Sequence, residues 1–283
     1  MSAKLSYSRD EILAEHPYAE RIRRNGALFH GGLDARGSYL SPRSLNRRDA
    51  IAAWTEALAA RGLPTEVITF DELCFDFFPN VEQTKLLLRR GARGAMTRIL
   101  TLVGITEGFG NDGIRALPPL DFERYFKEPI DGTCLAHLFS GLLEAHGNDE
   151  AGRGDELGHD GMWYVIRDAA LDRPLVTDDM FTNLPIAPPP GYTGPAKPAA
   201  EAMSANDLSE RLFPALDPLL EIELGVFAQI LAIEIIAYST FAWAREVLAD
   251  PECSAAPELA PWLVACIQQD EGLHVGYLQC ALA

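Results

Sequence analysis

The feature that most constrains the fold is a long apolar segment, residues 219–248, with a glutamate at its centre. The segment is hydrophobic on nearly every side, which predicts a helix buried in a large core or in a membrane. Glu234 lies among three isoleucines. An ionised carboxylate in such surroundings costs several kcal/mol unless it is protonated, paired or bound to a cation. Glu234 is therefore the first candidate functional residue.

A second apolar helix is predicted over residues 258–282, with Pro261 in its first turn, where proline is well accommodated. Two proline-containing dipeptides between the segments predict the turn that joins them. If the two helices form an antiparallel hairpin, Glu234 and Glu271 stand at the same level. This is the arrangement that a shared metal ion needs.

Glu271 also belongs to a motif, Asp-Glu-x-x-His, that occurs twice and ends at His159 and at His274. On a helix, positions i and i+3 lie on the same face. The carboxylate and imidazole of each copy can therefore converge on one ion. In the first copy the carboxylate is Glu156.

The first half of the chain contains three further predicted helices, over residues 92–117, 133–146 and 155–171. Glu107 lies in the first and Glu144 near the end of the second. The separation of these glutamates is 37 residues, equal to that of Glu234 and Glu271. This equality indicates two similar helix pairs, although a glycine stands where the motif would place a histidine after Glu144. In that arrangement His159 supplies the imidazole.

The alternative takes Glu156 and His159 as the motif and combines them with Glu107 or Glu144. His159 is a ligand in both arrangements, and His146 is a further residue that could complete the set. Two of these glutamates can also be explained without a metal ion. Glu156 in a first helical turn favours the helix dipole, and Glu144 is of a type usually exposed.

Composition narrows the class of protein. The chain has 283 residues and a net charge of -17, which disfavours nucleic acid and anionic membrane surfaces as partners. Its 5 cysteines are scattered, as expected for reduced thiols in a cytoplasmic protein. Residues 219–248 are long enough to span a bilayer. The central glutamate and the lack of a flanking Lys/Arg cluster argue against that interpretation.

Two regions are predicted. Residues 1–90 form an irregular N-terminal extension that packs on a helical bundle, and residues 91–283 form the bundle itself. Within the bundle, residues 172–218 are rich in proline and alanine and predict a long crossover connection.

Together, these residues resemble the ferritin-like di-metal carboxylate superfamily, which includes ribonucleotide reductase small subunits, acyl-carrier-protein desaturases and di-iron N-oxygenases. The resemblance covers roughly residues 92–283. It implies a mainly α fold, a ferritin-like four-helix bundle with additional helices and an irregular N-terminal segment. It also implies metal ligands among Glu107, Glu144, Glu156, His159, Glu234, Glu271 and His274.

The same resemblance implies two iron ions, or manganese and iron, with O2 as co-substrate. The resemblance further implies an electron donor and a small organic substrate as partners. A homodimer is compatible with proteins of this superfamily. The implied activity is a non-haem di-iron oxidoreductase or oxygenase that catalyses hydroxylation, N-oxygenation or desaturation. The competing hypothesis is a metal-free or non-catalytic metal-binding helical protein that holds a small apolar ligand.

Overall fold

The structure is a computed structural model that describes residues 4–24, 26–66, 68, 80–109, 113–114, 117–177 and 211–283. The fold is mainly helical, as predicted. The helices are α1 Arg9–Ile12, α2 Arg47–Ala60, α3 Val81–Arg89, α4 Arg93–Phe109, α5 Cys134–His137, α6 Leu143–Ala151, α7 His159–Ala170, α8 Pro218–Leu248 and α9 Leu259–Leu282. The strands are β1 Glu20–Arg24, β2 Ala27–Leu33, β3 Tyr39–Leu40 and β4 Glu156–Leu157.

Helices α8 and α9 pack against each other and confirm the two predicted apolar helices. The carboxylate of Asp217 accepts a hydrogen bond from the backbone N–H of Leu219, and Pro218 occupies the first turn, so the start of α8 is well capped. The α8 helix is not covered on every side, because Ile233 is 45% exposed and Tyr238 is 49% exposed. The predicted all-round burial is wrong on that face.

The first-half helices differ from prediction at their ends. Residues Leu138–Leu142, a π-helical turn, join α5 to α6, and Gly141 there has a φ of 147°. The helix then continues to Ala151, five residues beyond the predicted end. The α7 helix begins at His159, with Gly158 as its N-cap residue, and not at Asp155. Residues 156–157 instead form β4.

A small sheet joins the N-terminal region to the bundle. Strand β2 pairs antiparallel with β1 and β3, and it pairs parallel with β4 through Leu28 opposite Glu156. Helix α2 packs on α9. The N-terminal region therefore contacts the elements that lead into His159.

Buried apolar side chains from several helices pack together in the protein core. Trp163 on α7 lies against Phe241 on α8, with ring centroids 5.2 Å apart. In the described part of the chain, no helix combines the length and the hydrophobicity that a bilayer crossing requires. Most of the predicted crossover, residues 178–210, lies outside the described residues.

Candidate metal centre

Acidic and imidazole side chains from five helices converge in the interior of the bundle. Three overlapping groups of these side chains have ligand atoms close enough to hold a metal ion. Two of the groups share Glu150 of α6: His146, Glu150, Glu234 and His274 form the first, and Glu107, Glu150, His159 and Glu271 form the second. The third group, His30, His159 and Asp270, lies beside the second.

The first group is built by α6, α8 and α9. His146 Nε2 lies 3.0 Å from Glu234 Oε1, and His274 Nδ1 lies 3.1 Å from Glu150 Oε1. The rings of His146 and His274 are stacked with centroids 3.8 Å apart. The side chain of Glu234 is only 9% exposed. The burial predicted for this carboxylate is confirmed.

The second group is built around His159, the first residue of α7. Its Nδ1 lies 3.0 Å from Glu271 Oε1, 3.2 Å from Glu150 Oε1 and 3.6 Å from Glu107 Oε2. The second oxygen of Glu271, Oε2, lies 2.7 Å from His274 Nδ1. The two oxygens of Glu271 therefore face different groups, as in a carboxylate that bridges two ions.

Each of the three histidines has one ring nitrogen on the carboxylates and the other on an outer partner. His274 Nε2 lies 3.2 Å from Asp149, and His159 Nε2 lies 3.2 Å from Asp270. His146 Nδ1 lies 2.7 Å from the hydroxyl of Tyr277. Metal-ligating histidines usually have such an outer partner, because it fixes the orientation and tautomer of the ring.

Asp149 is itself held by two buried guanidinium groups. Arg43 Nε donates to Asp149 Oδ1 at 2.8 Å, and Arg47 donates to Oδ2 at 2.6 Å. Burial would raise the pKa of Asp149, but the two arginines outweigh it and hold the pKa well below its usual range. Asp149 is thus a fixed anion against the outer face of His274.

The carboxylates of the centre need positive charge beside them. Burial and the charge of Glu271 raise the pKa of Glu234 to about 7. Burial would also raise the pKa of Glu271, but His159 outweighs it and lowers the pKa to about 2. Burial and His146 lower the pKa of His274, but the carboxylates, Glu271 first, raise it to about 10. Protonated imidazoles can supply this charge, and a metal ion in their place would release those protons.

A tight loop brings His159 back to Glu150. Gly152 has a φ of 74°, and a Cβ atom at this position would lie 2.0 Å from the carbonyl oxygen of Glu156. A Cβ atom at Gly158 would lie 2.2 Å from the backbone nitrogen of Gly152. The chain can make this close return only because both residues are glycine.

Five of the seven predicted ligands come together in the centre: Glu107, His159, Glu234, Glu271 and His274. The structure places the other two elsewhere. Glu144 accepts a hydrogen bond from Arg9 Nε at 2.7 Å on the outside of α6. Glu156 is paired with Arg21 and lies in β4. The predicted i, i+3 geometry of Glu156 and His159 fails because α7 starts only at His159.

Sequence reasoning missed Glu150 and left His146 open. A signal for Glu150 was present, because Asp149-Glu150 is the same dipeptide as Asp270-Glu271. The sequence favours Glu156 over Glu150, because a histidine stands three residues after Glu156 and an arginine three residues after Glu150. His30 in β2 had no local signal at all.

Comparison with protein-family models, with curated proteins and with solved structures finds no match to this chain.

Proposed function

We propose that the centre holds two metal ions and that the protein is a non-haem di-iron oxidoreductase or oxygenase. The observation that carries the proposal is the position of Glu271, whose two oxygens face His159 and His274 in different groups. Glu150 Oε1 lies within 3.4 Å of the same two imidazoles and of His146. These two glutamates are suited to bridge a pair of ions.

The polar atoms of the centre fit this occupancy. Glu150 Oε2 and Glu271 Oε1 are buried and accept no hydrogen bond within the described ranges, although Glu271 Oε1 lies 3.0 Å from His159 Nδ1 without hydrogen-bond geometry. Unpaired buried carboxylate oxygens are costly, and a bound cation removes the cost. Four glutamates, Glu107, Glu150, Glu234 and Glu271, carry the charge that two divalent cations would neutralise. Mixed carboxylate and imidazole ligands suit iron and manganese.

The distribution of the ligands supports a ferritin-like arrangement. In that class, two helices each contribute a glutamate and two others each contribute a Glu-x-x-His motif. Here Glu107 and Glu234 are the single glutamates on α4 and α8, and Glu271 with His274 is the motif on α9. Helix α6 departs from the pattern, because His146 precedes Glu150 by four residues.

A pair of iron ions, or of manganese and iron, would supply redox chemistry with O2 when bound. The chain's own part is to hold the ligands and to exclude water. The outer partners hold the imidazole rings in fixed orientations, and Trp163, four residues after His159 on α7, packs against Phe241 in the hydrophobic core. Such surroundings suit the oxidation of a small organic substrate by hydroxylation, N-oxygenation or desaturation, with electrons from an external donor.

A measurement of the iron bound per chain tests whether the centre holds a pair of metal ions. Protein loaded with ferrous iron without oxygen should bind about two irons per chain. Glu150→Ala should lose most of this iron, because it removes a carboxylate shared by both groups. Glu144→Ala is the matched control, since it removes the same residue type from the same helix outside the centre, and it should keep full occupancy. Full iron retention in Glu150→Ala would refute the pair.

Oxygen consumption tests the oxidase step. Ferrous protein exposed to air should consume O2 and develop ferric absorption in the near ultraviolet, whereas Glu150→Ala should do neither. Bound iron that stayed ferrous in air would point to the competing hypothesis of a metal-binding protein without turnover. A metal-free binding protein would take up no iron at all. In a metal-free protein Glu234 would have to be protonated or paired with a basic residue, and Arg245 on the same helix instead donates to Gln268 at 2.7 Å.

A further inference from the structure

His30 lies on the far side of His159 from the carboxylates of the pair. It belongs to β2, whose residues Leu28 and Phe29 pair with β4 immediately before α7 begins. The rings of His30 and His159 are nearly perpendicular, with centroids 5.0 Å apart. The small sheet therefore delivers a second imidazole to the outer face of His159.

This second imidazole is completely buried and poorly satisfied. Neither ring nitrogen of His30 has a hydrogen-bond partner in the part of the chain that the structure describes, and Asp270 Oδ1 beside it has none. His30 Nε2 does lie 3.1 Å from Asp270 Oδ2, but without hydrogen-bond geometry. Buried polar atoms without partners call for an explanation such as an unseen ion.

We propose that His30, Asp270 and His159 form a third metal site, which adjoins the proposed pair of ions at His159 and is suited to zinc. The distances from Asp270 Oδ2 to His30 Nε2 and to His159 Nε2 are 3.1 Å and 3.2 Å. Ligands at about 2.0 Å from a tetrahedral zinc ion are separated by about 3.3 Å, so these atoms already stand at the spacing of its ligands.

The site shares His159 with the pair. Nδ1 of His159 faces the glutamates, and Nε2 faces Asp270. The Nε2 atom and the Asp270 carboxylate are therefore available to a further ion without displacing the contacts of Nδ1 with the glutamates.

Tyr39 closes the site from the side of β3. Its hydroxyl donates to Asp270 Oδ2 at 2.8 Å, which fixes the carboxylate while its other oxygen stays free. Nitrogen and oxygen ligands of this kind suit zinc. Three protein ligands leave a fourth position for water or another small ligand.

Zinc counting on the full chain tests the proposal. Metal-free protein is saturated with Zn²⁺, desalted and analysed for bound zinc. Wild type should retain three ions and His30→Ala two. His30→Cys should retain three, because a thiolate is also a zinc ligand. His16→Ala is the matched control, since His16 contacts Ser44 at 2.7 Å outside all three groups, and it should retain three.

The outcomes separate this site from the pair. Equal zinc counts in wild type and His30→Ala would overturn the third site, and a shared count of two would leave the pair intact. A single ion in wild type that His30→Ala loses and Glu234→Ala keeps would support the third site and refute the pair. If His30→Ala fails to fold, a zinc-edge anomalous map of wild-type crystals decides. A peak within bonding distance of His30 Nε2 is expected, and none there would overturn the proposal.

Discussion

The two halves of the centre present the same three side chains on different scaffolds. On α9, Asp270, Glu271 and His274 lie within two turns of one helix. In the other half, Asp149 and Glu150 end α6, and the histidine comes nine residues later, after a glycine loop. In both halves the glutamate faces the centre, and the aspartate contacts the outer nitrogen of the other half's histidine.

The candidate centre requires the aspartate, glutamate and histidine side chains to lie at particular positions in space. It does not require a particular spacing of these residues in the sequence. A continuous helix reaches the geometry through its own periodicity. The broken half reaches it through the close approach of Gly152 and Gly158. The two halves should therefore respond differently to substitution of their glycines.

The largest expected difference in metal content is between Gly158→Ala and Gly272→Ala. A Cβ atom at Gly158 collides with backbone, whereas one at Gly272 has open space. Gly158→Ala should lower the free energy of unfolding by about 3 kcal/mol and lose the iron held by His159. Gly272→Ala should raise it by about 0.5–1 kcal/mol, as expected for alanine in a helix. Chemical denaturation with metal counting measures both, and equal effects would contradict the loop's role.

The next effect distinguishes the two aspartates. Asp149→Asn leaves Arg43 and Arg47 buried without their anion, which should cost about 3–5 kcal/mol of stability. Asp270 contacts histidines and Tyr39 but no arginine among the described residues, so Asp270→Asn should cost less stability. Both should weaken iron binding by roughly 10–100-fold, because both orient a ligand. Unchanged iron affinity in both variants would show that the two aspartates do not orient the histidine ligands.

A smaller effect is expected from Tyr277→Phe. The variant removes the hydroxyl that holds His146 at 2.7 Å and leaves the ring packing intact. Iron affinity should fall by about 10-fold, the lower end for an outer partner, and stability by about 1 kcal/mol. Equilibrium iron binding under a competing chelator measures the first quantity. A loss as large as that of Glu150→Ala would mean that Tyr277 itself is a ligand.

The smallest effects concern the two predicted ligands that lie outside the centre. Glu144→Ala breaks a solvent-exposed pair with Arg9 and should change the stability little, because solvent screens such pairs. Glu156→Ala should leave the iron content unchanged, because its partner is Arg21. Iron loss in Glu156→Ala would restore the literal Glu-x-x-His motif that the structure disfavours.

The same contrast explains what could be predicted from the sequence. Helices α8 and α9, which bring Glu234 and Glu271 into the centre, follow from the local apolar pattern and from end signals such as Asp217-Pro218. Glu150 and His30 depend on a loop return and on strand pairing between distant residues. Contacts of this kind leave no periodic arrangement of apolar residues in the sequence, so the hydrophobic pattern could not predict them.

The pairing of Arg43, Asp149 and His274 has a consequence for how the protein is made. These residues lie on three segments that leave the ribosome at very different times, and α9 is the last of the described elements to emerge. A chain synthesised only as far as α8 has neither Glu271 nor His274. We therefore expect metal to be captured after α9 has docked, since the ligand set exists only then. Late completion would protect the growing chain from iron and oxygen during its synthesis.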